Sequence, residues 1–367
     1  MLEIDEDALA ALGMSPALAE RVVRMETDAD PAGQGTPRLA RVVEVHRESV
    51  VVDDGAGALC ARASPRLLRT MQDEGDALAA GDWVLAFVAG NGQCWLTARV
   101  PPLSAITRRD GDGRSHRIVS NVDVAFLVMG LDDDFNPRRV ERFLALVFDA
   151  SIAKVVVLTK ADIVASRDAL DERCALLRRR LPATVPIVAV DATDPTAATA
   201  LRPWVDPGVT LVMLGSSGAG KSTLTNTLLG RTVQDTGAVR VNDGRGKHTT
   251  TSRSLHRVPG GGCIIDTPGL RTLRPDGDEA ALVASFTDVD ALAARCRFRD
   301  CRHGAEPGCA VREVIGEDRL RNYHKLLREM RRDTLTPLDR QKQVAQWKMR
   351  GKAAKARMRQ KREGDEA

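Results

Sequence analysis

The sequence predicts a multidomain chain: a small β-barrel, a doubly wound α/β domain, and a helical C-terminal domain that contains a cluster of cysteines. Three observations carry this. Short β-branched runs broken by Gly-rich turns fill the stretch from Arg38 to about Val100. From Asn121 the texture changes to continuous apolar runs alternating with helical stretches, as buried parallel strands and their crossovers require. Three Cys and one His then crowd into the pattern Cys296-x4-Cys301-x-His303-x5-Cys309. The expected boundaries are 1–37 for an N-terminal helix and linker, 38–105 for the barrel and 106–275 for the α/β domain. The metal-binding domain is expected over 276–333 and a basic tail over 334–367.

Taken in order, Asp7 to Met25 reads as one short amphipathic helix, followed by the Pro/Gly-rich linker Asp30 to Pro37. Leu39–His46, Ser49–Asp53, Leu59–Ala63 and Trp83–Val88 read as strands, with turns at Asp54-Gly55-Ala56-Gly57 and Gly90-Asn91-Gly92. About five short strands in so few residues suit an OB-fold, a frequent nucleic-acid binder. In the α/β domain the strands are placed at Val122–Met129, Val155–Leu158, Val185–Val190, Val209–Leu214 and Cys263–Ile265. Helices are placed at Pro137–Ala150, Arg167–Arg180 and Lys221–Leu229. A ligand of such a sheet sits beyond the carboxyl ends of its strands.

Composition excludes several classes. Of 367 residues, 43% are hydrophobic but only 3% aromatic, so the core rests on Val, Leu, Ile and Ala. No apolar run approaches the roughly 20 residues of a membrane helix. The start, Met1-Leu2-Glu3-Ile4-Asp5-Glu6-Asp7, lacks the basic region of a signal peptide. A cytoplasmic protein with no membrane partner, acting as a monomer, is expected. The net charge of +4 is mild, but Arg340 to Arg362 is dense in Lys and Arg, as arms that meet nucleic acid are. Seven Cys is an odd number, which favours metal over disulfides in a reducing compartment. Cys60, Cys94, Cys174 and Cys263 stand singly and read as packing residues.

The chemistry lies at the strand ends. Gly215-Ser216-Ser217-Gly218-Ala219-Gly220-Lys221-Ser222, followed by Thr223, is a phosphate-binding loop between a strand and a helix. Its glycines let amide groups converge on phosphates at the positive end of the helix, with Lys221 on the β/γ-phosphates and Ser222 on Mg²⁺. Asp266-Thr267-Pro268-Gly269 has the DxxG form: Asp266 reaches Mg²⁺ and the Gly269 amide meets the γ-phosphate. Thr159-Lys160-Ala161-Asp162 resembles the guanine-reading Asn-Lys-x-Asp box with Thr for Asn. Asp162 accepts from the guanine N1 and N2 edge, and Lys160 lies against the base. Asp191-Ala192, after the next strand, stands where a backbone amide touches guanine O6. The base box precedes the phosphate loop, the reverse of the order in Ras-like proteins. All three loops still meet at one end of one sheet if the chain is a circularly permuted P-loop GTPase.

Between the phosphate loop and DxxG, Gly244 to Thr251 reads as a mobile loop that supplies Thr250 to Mg²⁺. Leu270 occupies the place of the water-positioning Gln. His248 is the nearest side chain in sequence able to replace it. The metal pattern offers four soft ligands, Cys296, Cys301, His303 and Cys309, in one short polar loop, which fits one closed, structural Zn²⁺ per chain.

With these motifs in hand, the chain resembles the RsgA (YjeQ) family of ribosome small-subunit-dependent GTPases over roughly Arg38 to Glu329. The permuted order, His248-Thr249-Thr250-Thr251, the Cys/His cluster with Glu306-Pro307-Gly308-Cys309-Ala310-Val311, and Asn121-Val122-Asp123 carry the likeness. The resemblance implies an OB-fold, a permuted GTPase core and a zinc domain. It also implies late maturation of the small ribosomal subunit, ribosomal RNA as main partner, subunit-stimulated hydrolysis of GTP to GDP, and a catalytic His248. Thr159 and Asp191 depart from the usual Asn and Ser. The competing reading is a non-catalytic RNA-binding checkpoint protein that uses GTP only as a conformational ligand.

Overall fold

The computed structural model describes residues 5–25, 37–46, 49–109, 115–148, 151–232, 253–267, 282–283 and 285–333. Its N-terminus is two helices, α1 (Glu6–Ala11) and α2 (Pro16–Arg24), where one was expected. The break is local chemistry. Gly13 takes φ +87°, and Ser15 caps α2 with Pro16 in the first turn. Leu9, Leu12, Leu18 and Val22 pack on Leu39, Trp83, Leu85 and Val100 of the barrel.

The barrel strands are β1 (Arg38–Val45), β2 (Val50–Asp53), β3 (Ala58–Ala63), β4 (Trp83–Val88) and β5 (Cys94–Arg99). They run in the order β1-β2-β3-β5-β4, and β4 pairs back to β1, closing the OB-like barrel. The stretch read as all-β also holds α3 (Pro65–Asp73), capped by Ser64. Leu67 and Met71 of α3 pack among Val42, Val52, Val84 and Leu96 of the barrel core. A further hairpin that the alternation pattern did not reveal follows, β6 (Ala105–Arg109) with β7 (Ser115–Ser120).

The second sheet is β8 (Val124–Gly130), β9 (Ala153–Thr159), β10 (Ile187–Ala189), β11 (Thr210–Gly215), β12 (Ser254–Val258) and β13 (Gly261–Asp266). The order β10-β9-β8-β11-β13 is parallel throughout, and β12 adds an antiparallel strand that was not anticipated. Helices α4 (Pro137–Phe148) and α5 (Arg167–Arg178) cover one face through Val140, Leu144, Cys174 and Leu177. Helices α6 (Thr196–Leu201) and α7 (Lys221–Leu229) cover the other through Ala197, Leu201, Leu224 and Leu228. This is the expected doubly wound architecture.

Two joints tie the outer regions to this sheet. On one side β12 pairs with barrel strand β1 at Glu44 and Ser254, merging both into one eleven-stranded sheet. Beside it the fully buried Arg41 donates to Leu12 O, to Thr210 Oγ1 at 2.9 Å and to Asn121 O at 3.0 Å. One guanidinium so pins α1, barrel and α/β domain together. On the other side stand α8 (Thr287–Ala293), α9 (Ala310–Val314) and α10 (Glu317–Asp333). They enclose Phe286, Val289, Val311 and Leu326 with Ala145 of α4. The buried Glu141 of α4 accepts from Arg180 at 2.7 Å, from Arg319 and from Asn322.

Of the cysteines read as packing residues, Cys94, Cys174 and Cys263 are buried, and burial pushes each thiol up. Cys60 is exposed instead, because it sits on the outward face of β3.

Candidate nucleotide site and metal centre

The ends of β8, β9, β10, β11 and β13 converge, and the predicted loops sit there. β11 is buried along its whole length and delivers the chain into the phosphate loop. A Cβ on Gly215 would lie 2.4 Å from Val128 O, so only glycine fits. Gly218 and Gly220 hold φ of +80° and +87°, which other residues rarely adopt. Gly220 opens α7, whose first-turn amides around Lys221, Ser222 and Thr223 face the loop. Lys221 Nζ donates to Gly215 O at 2.8 Å and Ser216 O at 2.6 Å. Burial pushes this ammonium down, and the carboxylates of Asp266 and Asp134 oppose that shift. Asp266, at the end of β13, is only 4% exposed. Thr267 Oγ1 beside it donates to Met213 O at 2.8 Å.

The base box meets the phosphate loop directly. Thr159 is fully buried, and its Oγ1 donates to Ala219 O at 2.6 Å. Thr159 approaches so closely that a Cβ on Gly220 would meet it at 3.0 Å. A threonine at this position therefore ties the two loops together from the end of β9. Lys160 takes φ +59°, which turns the chain into a single 3₁₀ turn, Ala161–Ile163, with Asp162 exposed on it. The Ala161 amide donates to Val190 O at 3.2 Å. Asp191 Oδ1 accepts from the Thr193 amide at 2.8 Å and its hydroxyl at 2.7 Å. Thr227 of α7 donates to Ala192 O at 2.6 Å. The base loops and phosphate loop thus form one bonded unit. His248, Thr250 and Gly269 lie outside the described residues.

In the C-terminal region the ligand atoms of Cys296, Cys301, His303 and Cys309 all lie within 4.8 Å of one another. His303 Nδ1 is 3.7 Å from Cys296 Sγ and 3.5 Å from Cys309 Sγ, and those two sulfurs are 4.0 Å apart. A tetrahedral zinc with Zn–S bonds of about 2.3 Å has ligand edges near 3.8 Å. The donor set and its spacing fit that ion. His303 adopts φ +58°, and its carbonyl lies 3.2 Å from His324 Nε2 of α10.

Comparison with known proteins agrees with this fold. A model of the RsgA GTPase family matches residues 100–275. The small ribosomal subunit biogenesis GTPase RsgA of Xanthomonas oryzae pv. oryzae (strain MAFF 311018) is 47% identical over 295 residues, covering 78% of this chain and 79% of that protein. The chain belongs to the RsgA GTPase family. The RsgA of Xanthomonas axonopodis pv. citri is 47% identical over 299 residues, 79% of this chain and 80% of its own. Among solved structures, YjeQ from Thermotoga maritima superposes with a TM-score of 0.59 at 25% identity, covering 80% of this chain and 98% of that one. YloQ, described as a circularly permuted GTPase, gives 0.55 at 20% identity, covering 85% and 99%, and supports the fold. An RsgA GTPase hydrolyses GTP, so the non-catalytic reading is set aside.

Three residues that contact the candidate loops were not singled out in the sequence. Asp132 and Asp134 follow β8, and Arg139 lies in the first turn of α4. Asp132 pairs with Lys160 of the base box. Partial burial acts to raise the Asp132 carboxyl, but the hydrogen bond and charge of Lys160 hold it below the usual carboxylate range. Ser216 Oγ of the phosphate loop donates to Asp134 Oδ2 at 2.6 Å, and Arg139 contacts both. The available signal was Asp132-Asp133-Asp134 at the carboxyl end of a buried strand. A second histidine also stands close: His256 Nε2 is 2.8 Å from Ser254 Oγ, and Ser254 lies across the ladder from Asp266.

Proposed function

We propose that this GTPase binds the small ribosomal subunit in the cytoplasm as a monomer and acts in its late maturation, with ribosomal RNA as the surface it meets. The observation that carries the reading is the bonded unit of phosphate loop, base loops and Asp266 at one sheet end, in a chain 47% identical over most of its length to small ribosomal subunit biogenesis GTPases. Among the described residues no helix is long and apolar enough to cross a membrane.

In this reading Asp162, Lys160 and the amides near Asp191 and Ala192 hold guanine. The amides of Gly215 to Thr223 and the Lys221 ammonium hold the phosphates. Ser222, Thr250 and Asp266 are the residues that would hold Mg²⁺, which when bound neutralises charge on the β- and γ-phosphate oxygens. The Gly269 amide meets the γ-phosphate. His248 orients the water whose oxygen attacks the γ-phosphorus as the bond to the β,γ-bridging oxygen breaks, releasing GDP and phosphate. Leu270 has no group for that task. Cys296, Cys301, His303 and Cys309 would hold one Zn²⁺, closed by four protein ligands and so structural.

The test is multiple-turnover phosphate release with and without purified small subunits, run beside cosedimentation in a non-hydrolysable GTP analogue and in GDP. Subunits should accelerate release, and binding should favour the GTP analogue. The His248→Ala chain should keep GTP affinity and lose the stimulation. Release unchanged by subunits, together with no cosedimentation in either state, would overturn the reading.

A further inference from the structure

A groove of about 1120 Å³ runs between the GTPase domain and the metal domain, away from the guanine loops. It is lined by the first turns of α4, the metal loop from Asp300 to Gly304, and one face of α10. Seven arginines and one lysine line it, against a single carboxylate, Asp300. Some of the cations are spoken for: Arg138 pairs with Asp318, and Arg142 with Glu329. These pairs fasten α4 to α10 and keep the groove open. Arg302, Lys325 and Arg328 are exposed and have no carboxylate partner among the described residues. The groove therefore presents uncompensated positive charge in a fixed concave frame. Such charge focuses an anionic ligand far better than scattered surface lysines do.

One lining residue also reaches the nucleotide site. Arg139 lies in the groove, contacts Asp134, and donates to Ser216 Oγ of the phosphate loop at 3.3 Å. Asp134 in turn accepts from the same hydroxyl at 2.6 Å. An anion entering the groove competes with Asp134 for Arg139. Its arrival would draw Arg139 away from Asp134 and Ser216.

We propose that this groove is a track for the phosphate backbone of an RNA strand, and that Arg139 reports its occupancy to the phosphate loop through Asp134 and Ser216. This rests on the reading of the protein as an RNA-associated GTPase, and it adds the surface and the route. Arg321 pairs with Glu317, so the free cations among the described residues lie on two elements, Arg302 on the metal loop and Lys325 and Arg328 on α10, and this spread across the groove favours a strand over a compact anion. A repeating phosphate chain matches that spacing of charge. Arg139 acts here as a positioning residue: it touches the loop that holds the nucleotide.

Two variants of the full chain test this. The first is Lys325→Gln with Arg328→Gln, on an exposed helix face where glutamine keeps helix propensity. Its affinity for a mixed-sequence single-stranded RNA dodecamer, read by fluorescence anisotropy, should fall about tenfold. The slope of log affinity against log salt should shrink by about 1 to 2, as expected for two lost phosphate contacts. Basal phosphate release and GDP affinity should stay at the wild-type level. The second variant is Arg139→Gln. It should still cosediment with small subunits but lose their stimulation of hydrolysis, whereas Arg139→Lys should restore part of it. Wild-type RNA affinity and salt slope in the double variant would overturn the groove as an RNA track. So would an acidic peptide that displaces the RNA from it, which would assign the groove to a protein. Full stimulation of Arg139→Gln would overturn the coupling. If subunits bind the wild type and the double variant equally, the groove fails while the broader reading stands. If they bind neither, both fall.

Discussion

The two outer regions are fastened to the GTPase sheet by different means. The barrel is joined by strand pairing and by one guanidinium on neutral acceptors: β1 pairs with β12, and Arg41 donates to carbonyls of Leu12 and Asn121, with the Arg257–Asp53 ion pair beside them. The C-terminal helical domain is joined by side-chain charge: Glu141 of α4 sits among Arg180, Arg319 and Asn322, and Arg319 also grips Asp288 through two bonds of 2.6 Å. The backbone joint involves β12, the strand that directly follows the expected switch loop and lies beside Asp266. The charged joint involves α4, whose first turn carries Arg139 to the phosphate loop. Each flank thus touches the nucleotide site by a different wall. A strand ladder transmits displacement along its hydrogen bonds, whereas a buried charge cluster holds one packing firmly and resists change.

Removing one member of the charged joint should have the largest effect. Glu141 is only 1% exposed, so Glu141→Leu leaves Arg319 and Arg180 without their shared partner. A loss of roughly 3–5 kcal/mol is expected for such a change. It should be read as a lowered denaturant midpoint, with early proteolytic release of the segment beyond α8. A midpoint within error of wild type would show that the cluster does not hold the C-terminal helical domain.

The backbone joint should be the next most sensitive. Arg41→Met keeps the packing over Trp83 but strips donors from Leu12 O and Asn121 O, at roughly 2–4 kcal/mol for two buried acceptors. Hydrogen exchange should rise first in α1 and β1. If exchange rises equally in α10, the two joints are not separate.

Between the joints lies the bonded nucleotide unit. Thr159→Val removes the bond to Ala219 O and should weaken GTP and GDP binding about tenfold, for roughly 1–2 kcal/mol. Thr159→Ser should recover most of that affinity, and both variants should unfold near the wild-type midpoint. Equal losses in both variants would point to packing by the threonine methyl instead of the hydroxyl.

The smallest effect sharpens the difference between the walls. His256 lies on the barrel joint, half-buried near Asp266, Glu44 and Arg231. Burial pushes its imidazole below the ordinary histidine value, against the pull of Asp266 and Glu44. A depressed folded value means the unfolded chain binds the proton more readily. Its stabilising contribution is therefore present above about pH 6.5 and is lost as pH falls through the folded value. Stability followed between pH 7.5 and 5.5 should decline slightly more in wild type than in His256→Gln. Identical pH profiles would remove His256 from the account of this joint.

Much of the molecule was legible in the residues because its signals are contiguous. Glycines at Gly215, Gly218 and Gly220 mark a backbone path that only they can follow, and they announce it in the sequence. Cys296 to Cys309 lie in one short loop, so ligand type and spacing pointed to a cluster able to hold a metal. The misses have equally physical causes. The N-terminal helix was read through Gly13-Met14-Ser15-Pro16, although those residues are a helix stop and a new start. Helix α3 was hidden in a stretch dominated by strand signals, though Ser64-Pro65 is a cap and a first helical position. β12 is short and half-buried, with a polar alternation that a search for continuous apolar runs passes over.

The sequence by itself announced the candidate chemistry: the patterns of a phosphate loop, a guanine box and a sensor aspartate, in permuted order, and a Cys/His cluster able to hold a metal. Tertiary structure alone decided how these parts touch. Thr159 meets Ala219 across 60 positions, Arg41 meets Thr210 across 169, and Arg138 meets Asp318 across 180. No local pattern encodes such pairs, because each depends on the packing of whole helices and strands that bring distant side chains within hydrogen-bond reach. The basic groove is of the same kind. Its charges come from α4, the metal loop and α10, and they become one surface only when the buried cluster at Glu141 docks those elements together.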